Sequence, residues 1–150
     1  MILSLDLHDP LVPAEVDLRD FGFMPLDVRT LLTSSLWIKA KKDPRVAHAA
    51  VSLWCECWHQ VPAASLPDDD EVLAELARCD AKEWARIRER ALLHSVLCSD
   101  GRLYHRHVAK KALESWRRKV MAAKKRYKRD NEGDFRTVTV SEGLRVWCTE

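Results

Sequence analysis

A run of lysine and arginine side chains carries the strongest chemical signal in this sequence. Residues 102–129 contain twelve Lys or Arg side chains and a single acid, Glu114. Like charges at this density repel one another unless a polyanion neutralises them, and a nucleic acid presents such charge along its backbone. The segment therefore favours nucleic-acid binding over a plain solvated helix face. Binding to a membrane surface is a weaker alternative, because the apolar stripe of this segment is narrow.

Three further cations have a spacing that could contact a DNA groove. Lys82, Arg86 and Arg90 recur every four residues on one predicted helix, so their side chains share a face. Arginines placed in this way can bind phosphates or guanine edges in the major groove. Pairing with Glu83 and Glu89 on the same helix is the competing interpretation. The predicted contacts are these three residues together with Arg102, Arg106, Lys110, Lys111, Arg117, Arg118, Lys124, Lys125 and Arg126.

Known catalytic motifs do not occur in the sequence, which predicts a protein that is not an enzyme and uses no cofactor. Four glycines leave no phosphate-binding glycine loop, and neither a nucleophile elbow nor a zinc-protease helix is present. The acids at 68–70 could hold a metal ion, as in nucleases, but carboxylates before a helix also stabilise its first turn. Helix capping is the simpler interpretation. His105 and His107 are expected on opposite faces, without forming a dyad.

The cysteines predict a reducing environment and no metal site. The chain contains five of them, an odd number, mostly within apolar patterns, which suits free thiols better than a disulfide framework. Cys55 and Cys57 would point to different faces of a helix, so we expect packed thiols rather than a zinc site. No apolar stretch approaches the roughly 18 residues that span a bilayer. We expect a cytosolic protein without membrane contacts.

Apolar periodicity predicts a mainly helical domain with a small β-hairpin wing. Helices are expected over 27–37, from Asp43–Pro44 to Val61, and over 69–78, 81–93 and 106–128, with a connecting turn at 62–67. A hairpin of 94–98 and 102–105 around Ser99-Asp100-Gly101 would form the wing. This order suits a winged-helix-like domain at 26–105, preceded by an irregular acidic arm at 1–25. A basic helix at 106–129 and a tail at 130–150, predicted to form a hairpin, would follow.

Six tryptophans could stack on bases where they are exposed. Four of them, Trp54, Trp58, Trp84 and Trp116, fall on the apolar faces of predicted helices, so we assign them to packing. Trp37 and Trp147 are expected to remain available for surface contacts with a partner.

Several short motifs are similar to the YdaU-like domain of phage and prophage proteins. The motifs are the run 66–71 (LPDDDE), Glu83-Trp84 and the wing turn 100–105 (DGRLYH), and the resemblance extends over about residues 22–118. It implies a winged-helix-like fold and a role near phage replication initiation, but it supplies no catalytic residues. The acidic arm and the three lysines between 35 and 43 depart from the family pattern.

The sequence therefore predicts a DNA-binding accessory protein of phage or prophage type, acting in replication initiation or its regulation. Electrostatic capture is assigned to the 106–129 helix and groove contact to the 81–93 helix. The alternative is a protein-interaction module, such as a phage-encoded inhibitor of a nucleic-acid-binding complex of the bacterial host. A metal-dependent nuclease is a third and weaker alternative.

Overall fold

A computed structural model describes residues 7–131 of the chain. The described part is mainly helical, with a small antiparallel sheet and a long last helix, in agreement with the coarse prediction. Its elements are α1 (Val28–Thr33), α2 (Ser35–Lys39), α3 (Pro44–Trp58), β1 (Ser65–Pro67), α4 (Asp70–Leu76), α5 (Ala81–Ala91), β2 (Ser95–Leu97), β3 (Arg102–His105) and α6 (Arg106–Asp130). The predicted hairpin of the tail and Trp147 lie outside the described residues.

Aspartate side chains cap the N-termini of α4 and α5, the two helices that precede the hairpin. Asp69 accepts the backbone N–H groups of Glu71 and Val72 at the start of α4, and Asp80 accepts that of Glu83 at the start of α5. Each cap satisfies donors that have no partner within the first turn of a helix. The capping interpretation of the acidic run is confirmed for Asp69.

The predicted single helix over 27–37 is wrong, because Ser34 divides it into α1 and α2. Ser34 has an extended backbone, its hydroxyl donates to the carbonyl of Leu31 at 2.7 Å, and the same oxygen accepts the N–H of Trp37 at 3.2 Å. A serine hydroxyl that binds the backbone on both sides competes with the helical hydrogen bonds. Neither α1 nor α2 has a buried residue.

A three-stranded sheet of order β1-β3-β2 joins the helices. The predicted hairpin is confirmed by the antiparallel pair β2–β3, and Gly101 has the positive φ of 78° that its turn requires. The predicted turn at 62–67 is wrong over β1, where Leu66 lies opposite Leu103. Because β1 is an edge strand, Pro67 can end it without disrupting the ladder. α3 also ends at Trp58 rather than Val61, since the chain turns there and the Ala64 N–H donates to the Cys57 carbonyl.

The core is centred on α3 and includes the N-terminal arm. Trp58 and Trp84 are 2% exposed and Trp116 is 6% exposed, as predicted, while Trp54 is half-buried against the core and Trp37 is exposed. The cysteine side chains differ in solvent exposure: Cys57 and Cys98 are buried, whereas Cys55 is exposed. The arm is irregular, as expected, but its apolar residues Val12, Val16 and Leu18 lie within the same core.

Removal of a buried arm side chain should destabilise the whole domain. Leu18→Ala deletes a fully buried side chain, so we expect a loss of about 2–5 kcal/mol in the free energy of unfolding. Leu7→Ala is the matched control, because Leu7 belongs to the same arm and is 45% exposed; its effect should stay within about 0.5 kcal/mol. Urea denaturation monitored by circular dichroism measures both. Equal effects would mean that the arm does not belong to the core.

Candidate nucleic-acid interface

The last helix, α6, is held to the domain by one face of its first half. Its buried residues are Val108, Ala109, Ala112, Ser115, Trp116 and Val120. No residue of 121–130 is buried, so this part of the helix extends beyond the core. A helix has about 3.6 residues per turn, which places most of the cations of α6 on the face opposite the buried stripe.

The cations of α6 differ in their ion pairs. Lys111 lies 3.7 Å from Glu114, Lys119 lies 2.8 Å from Asp20 of the arm, and Arg129 contacts its neighbour Asp130. By contrast, several other cations make no ion pair with any residue of 7–131: Arg106, Lys110, Arg118, Lys124, Lys125 and Arg126. Arg117 is exposed on the same helix. Within the described residues, the acids of this helix and of the arm therefore neutralise only part of its charge.

One lysine connects α6 to the acidic arm. The Lys119 ammonium donates to the backbone carbonyl of Asp17 at 3.0 Å and to the carboxylate of Asp20, and it lies 5.5 Å from the centre of the Trp116 ring. The Lys119 hydrogen bond lowers the pKa of Asp20. Asp17 instead binds Arg19, which lowers its pKa to about 2. This contact secures the arm to the half of α6 that is packed on the core.

The cations of α5 are placed differently, because Asp43 lies against two of them. The Asp43 carboxylate accepts from Arg86 at 2.8 Å and from Arg90 at 2.9 Å, and these arginines lower its pKa. Arg86 also lies 3.4 Å from Glu83, as the competing interpretation of this helix expected. Lys82 is exposed. The structure thus brings the three predicted side chains to one helix but gives two of them an intramolecular partner that local spacing could not reveal.

The Arg102 side chain forms hydrogen bonds within the sheet and next to it. Its guanidinium is half-buried and donates to the Ser65 hydroxyl at 2.8 Å and to the Gln60 side chain at 3.1 Å. These bonds join β3 to β1 and to the segment that follows α3. Arg102 is therefore less accessible than the exposed Arg106, which follows the hairpin.

A histidine cluster lies where the hairpin meets α6, and sequence reasoning missed it. The ring centres of His94 and His107 are 5.0 Å apart, and those of His105 and His107 are 5.8 Å apart, so the expectation of opposite faces was wrong. The signal was available in the hairpin register, because pairing of Ser95 with His105 places His94 beside the first turn of α6. Within residues 7–131, no group of three histidine, cysteine or acidic side chains has the geometry of a metal site.

His105 is the buried member of the cluster and caps α6. Its Nδ1 accepts the N–H of Val108 at 3.2 Å, so the neutral ring carries its proton on Nε2. Burial lowers the pKa of His105 to about 3, with further lowering from His107 and His94. This side chain is neutral at pH 7 and serves the fold as a hydrogen-bonding group rather than as a charge.

The fold and the exposed basic helix define a small helical domain with a three-stranded sheet and an extended cationic C-terminal helix. The chain belongs to a family described only as a protein of unknown function, DUF1376, whose sequence profile matches residues 22–114. No curated protein and no solved structure shows significant similarity to it. Among the helices described, none combines the length and the apolar character needed to cross a bilayer.

The low pKa of His105 should make the domain less stable in acid. The unfolded ring protonates near pH 6.5 whereas the folded ring resists protonation down to about pH 3. Stability is therefore complete above about pH 6.5 and falls below it, by up to about 1.4 kcal/mol per pH unit. His105→Asn keeps an acceptor for the helix cap and removes the titration, so its unfolding free energy should change less between pH 6 and pH 4. Urea denaturation across this range measures the difference.

The matched control is His48→Asn, because His48 is an exposed histidine of α3. We expect this variant to retain the pH dependence of the wild-type protein. If His105→Asn also retained it, the buried ring would not be the source of the acid sensitivity.

Proposed function

We propose that the protein binds DNA, and that the exposed basic face of α6 captures the phosphate backbone. The observation that carries the proposal is a helix with most of its cations opposite its buried stripe, and six of its cations make no ion pair with any of residues 7–131. Like charges four residues apart, such as Lys125 and Arg129, destabilise a helix by about 0.2–0.5 kcal/mol per pair. Phosphate contacts would relieve this repulsion, which supports a polyanionic partner.

The length of the basic helix also suits a duplex. From Arg106 to Arg129 a straight helix rises about 35 Å, which is close to one turn of B-form DNA. Cations are distributed over this whole length, so the helix could contact phosphates on both sides of a groove. Residues 121–130 extend beyond the core, which leaves them accessible to a large partner.

A winged-helix-like arrangement is the finer form of this proposal. It would place α5 in a groove and the β2–β3 hairpin beside it, and the order of helices and strands supports that arrangement. Arg86 and Arg90 would then have to exchange Asp43 for phosphate or base contacts. This exchange costs little free energy, because an exposed ion pair contributes only about 0–1 kcal/mol to stability. The resemblance to the YdaU-like domain makes phage replication initiation or its regulation the proposed setting.

An exposed apolar surface on the first two helices and the residues just before them favours a second candidate function, a protein-interaction module. Phe23 is 90% exposed, Val28 62% and Ile38 57%, and Leu26, Leu32 and Trp37 are also exposed. Exposed apolar groups gathered in one segment are typical of protein-interaction sites. A host nucleic-acid-binding complex would be such a partner. Binding that survives nuclease treatment and is lost in Trp37→Ala would support this candidate.

Charge reversal on α6 should weaken DNA capture and reduce its salt dependence. In the wild-type protein, contact of about six cations with phosphates predicts a slope near −5 for log K against log salt concentration. The variant Arg118→Glu, Lys124→Glu and Lys125→Glu removes three of these contacts, so we expect the slope to weaken by about 3 and the affinity to fall at least about tenfold. Fluorescence anisotropy with a labelled duplex at increasing salt measures both quantities.

The matched control reverses three exposed lysines, Lys39 at the end of α2 and Lys41 and Lys42 between α2 and α3. This variant has the same change in net charge, so it separates a local contact from a general electrostatic effect. We expect it to bind DNA within about threefold of the wild-type protein. Equal losses in the two variants would contradict a specific role for α6, and no binding in the wild-type protein would contradict the proposal.

Neutralising Asp43 should tighten DNA binding if α5 contacts the duplex. Asp43→Asn removes the carboxylate that binds Arg86 and Arg90, and it does not remove a helix cap, because the Asp43 side chain makes no capping bond to α3. We expect a several-fold gain in affinity at low salt, of about 1 kcal/mol. Glu75→Gln on α4 has the same change in charge at an exposed position and should have little effect. Equal anisotropy titrations for the two variants would remove α5 from the interface.

A further inference from the structure

A groove of about 420 Å³ lies between the α1–α2 segment and the junction of the hairpin with α6. This volume is within the range of small-molecule sites, about 300–1,000 Å³. Aliphatic side chains form much of its lining: Met24, Leu26, Leu31, Leu36, Leu93 and Val108. The groove can therefore cover a hydrocarbon body of modest size.

Two ring N–H groups among the lining residues lack partners. His105 is only 6% exposed, and its Nδ1 is occupied by the Val108 N–H, so the proton resides on Nε2. That Nε2 has no hydrogen-bond partner within residues 7–131, and the same holds for Nε1 of Trp54, whose ring centre lies 5.3 Å from that of His105. Buried donors are nearly always paired in folded proteins. The ring N–H groups of Trp58 and Trp116 are unpaired as well but do not line the groove, so the location of the other two beside it is what favours a ligand with a hydrogen-bond acceptor.

The charges around the groove favour an acidic ligand. Arg90 and Lys111 line it but already contact the carboxylates of Asp43 and Glu114. Lys110 lines it as well, and no carboxylate in the described range 7–131 forms an ion pair with this lysine. The first turn of α6 contains no acidic residue, so the positive end of the helix dipole adds to the same potential.

Two acids, Asp27 and Glu114, also line the groove, and Glu114 lies 3.7 Å from Lys111. The carboxylate of Asp27 accepts the backbone N–H of Thr30 at 3.0 Å and caps α1. This hydrogen bond lowers the pKa of Asp27, so its carboxylate is ionised at neutral pH. The lining cations Arg90, Lys110 and Lys111 still outnumber the two acids, so the net charge of the lining is positive.

We propose that this groove binds a small apolar carboxylate. The hydrocarbon part lies against the leucines, the carboxylate approaches Lys110, and one of its oxygens accepts the Nε2–H of His105. Lys110 and His105 are the two polar determinants of this site. The site is separate from residues 121–130 of α6, so its occupancy can be measured without nucleic acid.

Octanoate and 1-octanol are the probes that test the proposal, because they share a hydrocarbon body and differ in the charged head group. Titration of the 15N-labelled full chain by NMR should show saturable shifts of the Trp54 indole N–H and of the histidine rings at 94, 105 and 107. For octanoate we expect a dissociation constant of about 1 mM or tighter, and for 1-octanol one about tenfold weaker. Isothermal titration calorimetry measures the same constants independently.

Three variants assign the polar contacts. Lys110→Gln should weaken octanoate binding about fivefold and leave 1-octanol binding unchanged, because only the carboxylate engages the ammonium. Lys124→Gln is the matched control on the same helix, outside the groove, and should bind both probes as the wild-type protein does. His105→Asn retains an acceptor for the helix cap but lacks the Nε2–H donor, so both probes should bind less tightly.

Several outcomes would overturn the proposal. One is the absence of saturable shifts with octanoate up to about 10 mM, a concentration that detects even weak sites. Equal binding of acid and alcohol, or equal effects of Lys110→Gln and Lys124→Gln, would also overturn it. A second copy of the chain covering the groove would appear as a dimer in light scattering whose resonances octanoate does not shift. None of these outcomes bears on DNA binding by the remainder of α6.

Discussion

The packing of one apolar stripe of α6 onto the domain is the interaction on which the other features depend. Small side chains at Ala109 and Ala112 allow the helix to approach the core closely, and Trp116 fills the next turn. Because a helix is a continuous rigid rod over this length, the buried half sets the direction of the exposed half. The burial of Val120, the last buried residue of the helix, marks where the core ends and where the extended basic part begins.

Tertiary packing also separates the cations of α5 from those of α6 into two environments. On α5, the beginning of α3 lies close enough for the carboxylate of Asp43 to reach Arg86 and Arg90. On the exposed face of α6, by contrast, acids from other described elements contribute little, and Lys119 with Asp20 is the contact that joins the helix to the arm. Exposed pairs of this kind contribute little to stability, so their main consequence is electrostatic: they decide where positive potential remains.

Local chemistry accounts for what could be predicted from the sequence. The caps at Asp69 and Asp80 and the turn at Gly101 involve neighbours in the chain, so spacing alone revealed them. The misassigned elements depended on distant partners or on an unexpected local bond. β1 exists because Leu66 pairs with a strand almost forty residues later, and α1 separates from α2 because the Ser34 hydroxyl binds the backbone on both sides. Periodicity contains no information about either contact.

By itself, the sequence determined the helical character of the chain, the position of the hairpin and the concentration of positive charge in the last helix, since each follows from residue type and spacing. Tertiary structure decided which cations are paired, that the arm belongs to the core, and that His94, His105 and His107 meet beside an apolar groove. The physical reason is that ion pairing and burial depend on distances across the fold, which segments far apart in the chain acquire only when they pack together.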